Sequence, residues 1–258
     1  MKILLHSSKT MKPVVTSQIG LTLPLFEAES IELNKLLASY SVSELSRLMN
    51  VSVILAEKVA QQTKTRTAMT PSAAALTFRG DIYSGLSADK WTQDDALYAQ
   101  EHLIIMSGLY GLLRPFDGIR PYRLEMGYPL KLEDGMTLTQ YWERRLERSF
   151  NPTDSYVNLT AYEYFKVIEK SLARSTVIAP KFLTVSPKTG EATFVTVHTK
   201  IARGAFANWM IKNRVQDPKD LPDFNELGYH FAPELSTTIQ PVYVCQSFGG
   251  IGLSVRLT

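Results

Sequence analysis

Cysteine, histidine and long apolar runs are all scarce in this chain of 258 residues. The one cysteine, Cys245, excludes an internal disulfide framework and a cysteine-rich zinc site, and it favours a reducing compartment. The four histidines include no HxxxH pair, so we predict no metal site. The glycines of a Walker A loop are absent around Lys9. We expect no cofactor.

Apolar runs long enough to span a membrane are also missing, and the first residues become polar too soon for a signal peptide. We therefore expect a soluble cytoplasmic protein with no membrane partner. With 45% hydrophobic residues the chain is long enough for one large domain, residues 1–258, and we expect a monomer. The net charge of +3 is compatible with a nucleic-acid partner but does not require one.

Strand-like and helix-like segments alternate irregularly along the chain. The apolar runs predict strands at 2–5 and 103–106, and helical patterns cover 71–76 and 202–214. The segments 177–185 and 191–198 flank a turn sequence and predict a hairpin. The fold class is therefore a mixed α/β (α+β) single domain, with a central, mostly β core and surrounding helices.

The segment from Ser107 to Gly127 is the densest in unusual residues, with four glycines, two prolines and three arginines. It follows the predicted strand at 103–106, and α/β proteins often place ligand contacts on the loop after a strand. Arginine forks suit phosphate or carboxylate. The candidates are Arg114 and Arg123 for phosphate, Ser107, Tyr110 and Tyr122 as lining residues, and Glu125 as a proton carrier. A structural loop with solvated arginines is the alternative.

Two shorter polar segments add candidates. Lys9 follows the first strand among serine and threonine residues, where a lysine binds phosphate or, if desolvated, acts as a nucleophile. Arg79 and Asp81 flank a glycine, and Tyr83 follows them, which is typical of a tight functional turn. Arg79 is a candidate to bind DNA phosphate, Asp81 to carry a proton, and Tyr83 to line the cleft. A helix end with a structural Arg–Asp pair explains the same pattern.

Residues 43–62 form two short helical patterns joined at Asn50-Val51-Ser52. This arrangement is similar to a helix-hairpin-helix motif, in which backbone N–H groups at a helix start hold a DNA phosphate. Asn50 and Ser52 replace the two expected glycines, but asparagine tolerates the left-handed conformation and serine caps helices. Lys58 would add positive charge. An ordinary helical hairpin with a buried apolar face is the alternative.

Two further pairs complete the candidate residues. Asn158 ends a predicted strand, and Glu163 follows at the spacing of a capping box with Thr160. Lys200 and Arg203 lie near the predicted start of a helix at residue 202, where the helix dipole disfavours cations. A bound anion would relieve that repulsion, which indicates phosphate binding.

Taken together, these segments resemble the peroxide stress protein YaaA family. The resemblance rests on Ser7 to Thr10, Phe78 to Leu86, the Ser107–Gly127 block, Asn158-Leu159 with Glu163-Tyr164-Phe165, and Ala202-Arg203-Gly204. It extends to about residue 244. Two departures are Ser7-Ser8 where the family usually has Pro-Ala, and Thr160-Ala161 where it usually has Ala-Ser.

The resemblance implies a cytoplasmic protein of the response to hydrogen peroxide, associated with limiting free intracellular iron and protecting DNA. It also implies a fold particular to the family, with a helix-hairpin-helix element and a basic cleft that binds DNA. The expected partner is double-stranded DNA, bound without sequence specificity.

Two other functions stay open. The first is an enzyme acting on a nucleic-acid base or nucleotide, like a glycosylase or lyase, with Lys9 as an imine-forming nucleophile and Asp81 or Glu125 as proton carrier. The second is direct iron binding by carboxylates such as Asp81, Asp117 and Glu125.

Overall fold

The first strand is the central strand of the main sheet, and both of its faces are covered. Ile3, Leu4 and Leu5 are each at most 1% exposed, which is typical of a strand between parallel neighbours in a doubly covered sheet. The computed structural model describes residues 1–15, 17–132 and 134–253. Its strands are β1 (Lys2–His6), β2 (Thr10–Met11), β3 (Ser72–Ala73), β4 (Phe78–Arg79), β5 (Leu103–Ser107), β6 (Gly111–Leu113), β7 (Gly118–Ile119), β8 (Ser155–Asn158), β9 (Thr176–Ile178), β10 (Lys181–Val185), β11 (Ala192–Thr193), β12 (Tyr229–Phe231) and β13 (Val242–Cys245).

These strands form one α/β unit with mixed sheets. The main sheet has five strands in the order β6-β5-β1-β8-β9, with β6 antiparallel and the others parallel. The second sheet has the order β11-β10-β13-β12, with only β10 and β13 parallel. Two short antiparallel pairs, β2–β4 and β3–β7, tie loops to this framework.

The helices surround both sheets. They are α1 (Glu27–Ser39), α2 (Val42–Met49), α3 (Val53–Thr65), α4 (Ala74–Thr77), α5 (Asp81–Leu86), α6 (Gln93–His102), α7 (Leu138–Leu146), α8 (Tyr162–Ile168) and α9 (Thr196–Lys212). Capping boxes begin three of them: Ser41 with Glu44, Thr92 with Asp95, and Thr137 with Gln140. Among the residues that the structure describes, no helix is both long and apolar enough to cross a membrane.

Helices α5 and α9 cross with their backbones in contact. A Cβ at Gly204 would overlap the carbonyl oxygen of Ile82 and lie 2.7 Å from the amide nitrogen of Leu86. A Cβ at Gly85 would overlap the carbonyl oxygen of Ile201 and lie 2.8 Å from the amide nitrogen of Ala205. Each glycine therefore removes the side chain that would hold the two helices apart.

The structure corrects three predicted elements. The helix predicted at 71–76 is only the short α4, because Ser72 and Ala73 pair with β7 instead. The predicted strand at 177–185 is split between two sheets, since β9 pairs with β8 and β10 pairs with β13. The partner strand predicted at 191–198 ends at Thr193, and α9 begins at Thr196. Tertiary packing overrides local pattern at all three places.

The start of α9 also changes the argument about Lys200 and Arg203. Because the helix begins at Thr196 rather than 202, both residues lie beyond its first turn. The dipole effect falls off within that turn. The expected repulsion at a helix start is therefore wrong, and any case for these cations must rest on their burial and neighbours.

Replacement of Gly204 by alanine tests the helix crossing. Helix propensity alone would favour alanine by about 1 kcal/mol. Because the new methyl group overlaps a backbone oxygen, we expect Gly204→Ala to lower the free energy of unfolding by about 2–3 kcal/mol instead. Urea unfolding measures the difference. Gly20→Ala is the control, since a Cβ added there meets no described atom within 4 Å. It should change the free energy of unfolding by less than about 0.5 kcal/mol. A stabilised Gly204→Ala would contradict the contact.

Candidate functional site

The main sheet brings the ends of its parallel strands together at one edge. The chain leaves β1 toward β5 on one side, and it leaves β8 toward β9 on the other. Strand order therefore reverses between β1 and β8, and crevices at such reversals are the usual ligand sites of open α/β sheets. His6 ends β1, Ser107 ends β5 and Asn158 ends β8, so residues distant in sequence meet at this edge.

His6 is held as a neutral imidazole at this edge. Its Nδ1 accepts a hydrogen bond from the backbone N–H of Ala161 at 3.2 Å, so the proton of the neutral ring lies on Nε2. Its ring stacks on Tyr164 with 4.8 Å between centroids. Burial, together with the positive charges of Arg203 and Lys200, lowers the pKa of His6 to about 3. The sequence reasoning missed this residue, although its place at the end of the first strand was a usable signal.

Hydroxyl groups form the floor of the site. The Tyr83 hydroxyl donates to the backbone carbonyl oxygen of His6 at 2.9 Å, and Ser7 Oγ lies 3.2 Å from the Tyr164 hydroxyl. Ser107 Oγ lies 2.7 Å from the Tyr122 hydroxyl. Burial raises the pKa of all three tyrosines, so they stay neutral. The floor is therefore polar but uncharged, and its groups are held by one another.

Lys9 and Glu125 are the charged pair next to that floor. Lys9 Nζ lies 3.7 Å from Glu125 Oε2, and the Lys9 side chain is 54% exposed while that of Glu125 is 11% exposed. Burial raises the pKa of Glu125, Lys9 and Arg123 partly offset this, and Glu163 raises it further. Glu125 is thus suited to hold and release a proton. The predicted nucleophile would need to be desolvated, but the Lys9 side chain is exposed to solvent.

Three cations around the site have no counter-ion. Among the described residues, Arg123, Lys200 and Arg203 make no ion pair within 4.0 Å. The Nε atoms of both arginines are buried and find no hydrogen-bond partner in that part of the chain. Burial lowers the pKa of Arg203. Burial raises the pKa of the Tyr128 hydroxyl, and the nearby Arg123 guanidinium partly offsets that rise. We call these cations with His6, Lys9, Glu125 and Tyr164 the switch-point site.

Several predicted residues have structural partners instead of facing this site. Arg114 makes an ion pair with Asp117 at 2.9 Å and donates to Leu23 O. Tyr110 is fully buried, and its hydroxyl accepts hydrogen bonds from Arg66 and from the backbone N–H of Arg120. In the sequence, a tyrosine between Gly108 and Gly111 has the same pattern whether it lies in the core or in a cleft.

The remaining predicted residues lie at the edges of the site or apart from it. Asn158 Oδ1 accepts from the backbone and hydroxyl of Thr160, so the predicted Thr160–Glu163 capping box is wrong. The Glu163 carboxylate lies against Gly127, where a Cβ would come within 2.7 Å of Oε2. Arg79 lies on β4 opposite Thr10, and Asp81 begins α5. Asn50, Val51, Ser52 and Lys58 belong to the α2–α3 hairpin.

Comparison with known proteins adds the family. The sequence model described as peroxide stress protein YaaA matches residues 1–235. The chain belongs to this family. A UPF0246 protein of Salinispora tropica is 45% identical over 260 residues, which cover 99% of this chain and 98% of the relative. UPF0246 proteins of Acaryochloris marina and Dinoroseobacter shibae are 36% and 40% identical, covering 94% and 89% of this chain and 99% and 89% of the relatives.

The lowered pKa of His6 gives a test of this site in the YaaA-family chain. Between pH 6.5 and about 3 the unfolded chain binds a proton at His6 that the native protein does not. Between pH 7 and pH 5 the wild-type free energy of unfolding should therefore fall by about 2 kcal/mol more than that of His6→Asn. Urea unfolding at pH 7, 6 and 5 measures both slopes. His230→Asn, at an exposed position, should keep the wild-type slope; equal slopes for wild type and His6→Asn would contradict the assignment.

Proposed function

We propose that this peroxide stress protein binds the phosphate backbone of DNA at the switch-point site. The observation that carries the proposal is the set of three cations, Arg123, Lys200 and Arg203, without a counter-ion among the described residues. A part-buried guanidinium with no ion pair within 4.0 Å has lost hydration without regaining a direct partner, which is unfavourable. A phosphate oxygen supplies the missing acceptor and is the usual partner of such a fork.

Charge balance supports an anionic ligand at this place. Lys9, Arg123, Lys200 and Arg203 contribute four positive charges, against the carboxylates of Glu125 and Glu163. The raised pKa of Glu125 favours its neutral form, which reduces the negative charge at the site. When lysine and arginine side chains neutralise DNA phosphates, the counter-ions condensed on those phosphates are released. Binding driven by this release needs no contacts with the bases. Binding without sequence preference follows.

The α2–α3 hairpin supports a second contact with the backbone, as a helix-hairpin-helix element within 43–62. Asn50 adopts the left-handed conformation, with φ 49° and ψ 58°, where the motif usually has glycine. Ser52 caps α3 and accepts from the N–H of Leu55 at 3.4 Å. Val53 and Ile54 are 58% and 68% exposed, and Lys58 is exposed on the same helix. The start of α3 is thus open to a phosphate, with Lys58 one turn beyond.

The wider role that we propose is protection of DNA during peroxide stress in a fold particular to this family. A link to limiting free iron would be indirect. Within residues 1–15, 17–132 and 134–253, no three His, Cys, Asp or Glu side chains come together as a metal-binding group. Asp81, Asp117 and Glu125 lie on separate elements, and Asp117 already pairs with Arg114.

Fluorescence anisotropy with labelled duplex DNA tests the proposal. Three neutralised phosphates predict a slope of about −3 for the logarithm of affinity against the logarithm of salt concentration. Arg123→Ala and Arg203→Ala should each weaken binding about tenfold, because each removes a charge-assisted contact. Arg174→Ala is the matched control, since this exposed arginine precedes β9 and so lies at the opposite edge of the sheet. Salt-independent binding, or equal loss in Arg174→Ala, would sink the proposal.

The contact between Lys9 and Glu125 favours a second candidate, a glycosylase- or lyase-like reaction on DNA. An amine 3.7 Å from a buried carboxylate of raised pKa can pass a proton to it and condense with the aldehyde of an abasic site. The condensation forms an imine and releases water.

Borohydride trapping with abasic duplex DNA tests this second candidate. Wild type should give a covalent adduct visible by gel electrophoresis, and Lys9→Ala should lose it. Lys12→Ala is the control, because it removes an exposed lysine three residues along and should keep the adduct. An adduct that survives in Lys9→Ala, or no adduct in wild type, rejects Lys9 as the nucleophile.

A further inference from the structure

A separate pocket of about 720 Å³ lies beside Arg79. Its wall includes Val14, Gln18, Leu76, Arg79, Ser84 and Lys90, and we call it the Arg79 pocket. It shares one residue with the floor of the switch-point site, since Tyr83 lines it and donates its hydroxyl to His6 O. None of the unpaired cations of the switch-point site lines it. Its volume is within the range of pockets that hold drug-sized ligands.

Arg79 is held in place by one side of its guanidinium. Nη1 donates to the carbonyl oxygens of Leu76 at 2.6 Å and Phe78 at 3.0 Å. Nε and Nη2 make no hydrogen bond to the part of the chain that the structure describes, and Arg79 has no ion pair there within 4.0 Å. Nε and Nη2 form the edge of a guanidinium that binds carboxylate or phosphate through two parallel hydrogen bonds. Because Nη1 is already fixed, little side-chain entropy is lost on binding.

The rest of the wall combines an apolar surface with an unused acceptor. Leu76 and Val14 offer apolar surface, on which a planar ring can lie. Gln18 Nε2 donates to Ala88 O at 3.0 Å, while its Oε1 is buried and accepts no hydrogen bond from the described residues. A buried acceptor of this kind costs free energy until a donor satisfies it. An N–H group of a ligand would do so.

We propose that the Arg79 pocket binds a nucleoside monophosphate. The phosphate lies on Nε and Nη2 of Arg79, and Lys90 on the pocket wall adds positive charge that the neighbouring Asp89 partly offsets. The base lies against Leu76, and one of its N–H groups donates to Gln18 Oε1. Inorganic phosphate would contact only the Arg79 guanidinium, and a nucleoside would contact only Leu76 and Gln18. Neither of them alone fills the whole pocket. This inference does not rest on DNA binding, because its residues differ from those proposed to hold the backbone.

Isothermal titration calorimetry of the full chain with AMP and UMP tests the proposal. At least one nucleotide should bind, and both inorganic phosphate and adenosine should bind at least tenfold more weakly. Arg79→Ala should weaken nucleotide binding at least tenfold, and Gln18→Leu about threefold to tenfold. Since Arg79 also holds two backbone carbonyls, Ser84→Glu is added: it keeps Arg79 and places a carboxylate in the pocket, so it should also weaken binding at least tenfold. Circular dichroism verifies the fold of each variant.

Two controls separate this pocket from the switch-point site. Arg203→Ala and Arg174→Ala should both retain nucleotide binding within about twofold of wild type. Loss of nucleotide binding in Arg203→Ala, with full binding in Arg79→Ala, would place the nucleotide at the other site and overturn the proposal. Equal affinity for phosphate and for the nucleotide that binds would overturn it as well, as would no binding of either nucleotide at concentrations up to about 1 mM. DNA binding measured on the same variants is an independent result.

Discussion

The backbone contact between α5 and α9 fixes the geometry on which the candidate site depends. Gly85 and Gly204 let the two helices approach until the backbone of one meets the backbone of the other. Tyr83 on α5 then reaches the carbonyl oxygen of His6, while Arg203 on α9 comes close enough to lower the pKa of that histidine. Since protein interiors do not deform continuously, a side chain at either glycine would move a whole helix and with it one wall of the site.

Sequence reasoning succeeded where one local pattern determines the structure. The strands around Ile3 and Ile105 are buried apolar runs that pair in parallel with each other, and both lie where the pattern predicted them. The hairpin at Asn50 also needs only local information, because the left-handed residue and the serine cap act within a few positions. The predicted chemical roles of Lys9 and Glu125, which lie 3.7 Å apart, stay predictions.

It failed where the role of a side chain depends on which partners it meets in the folded chain. Arg114 and Arg123 lie on one segment and have the same chemistry, but only Arg114 meets an aspartate three residues away. Tyr110 was chosen with Tyr122 for its hydroxyl, and burial against Arg66 makes it part of the core. His6 was overlooked because its neutral state comes from burial in the folded chain and from the charges of Arg203 and Lys200, about 200 residues further along. No local window contains that information.

The chemistry of the one thiol bears on how such a protein contributes to peroxide stress. Peroxide reacts with an exposed thiolate, which needs a pKa lowered by nearby positive charge. Cys245 is instead fully buried in β13, its Sγ lies 3.6 Å from the carbonyl oxygen of Leu227, and burial raises its pKa. The positive charge that would activate a thiol is therefore not beside Cys245. It is concentrated on Arg123, Lys200 and Arg203, next to a neutral His6. That distribution favours holding an anion over reducing an oxidant, which is why the proposed role rests on the switch-point site.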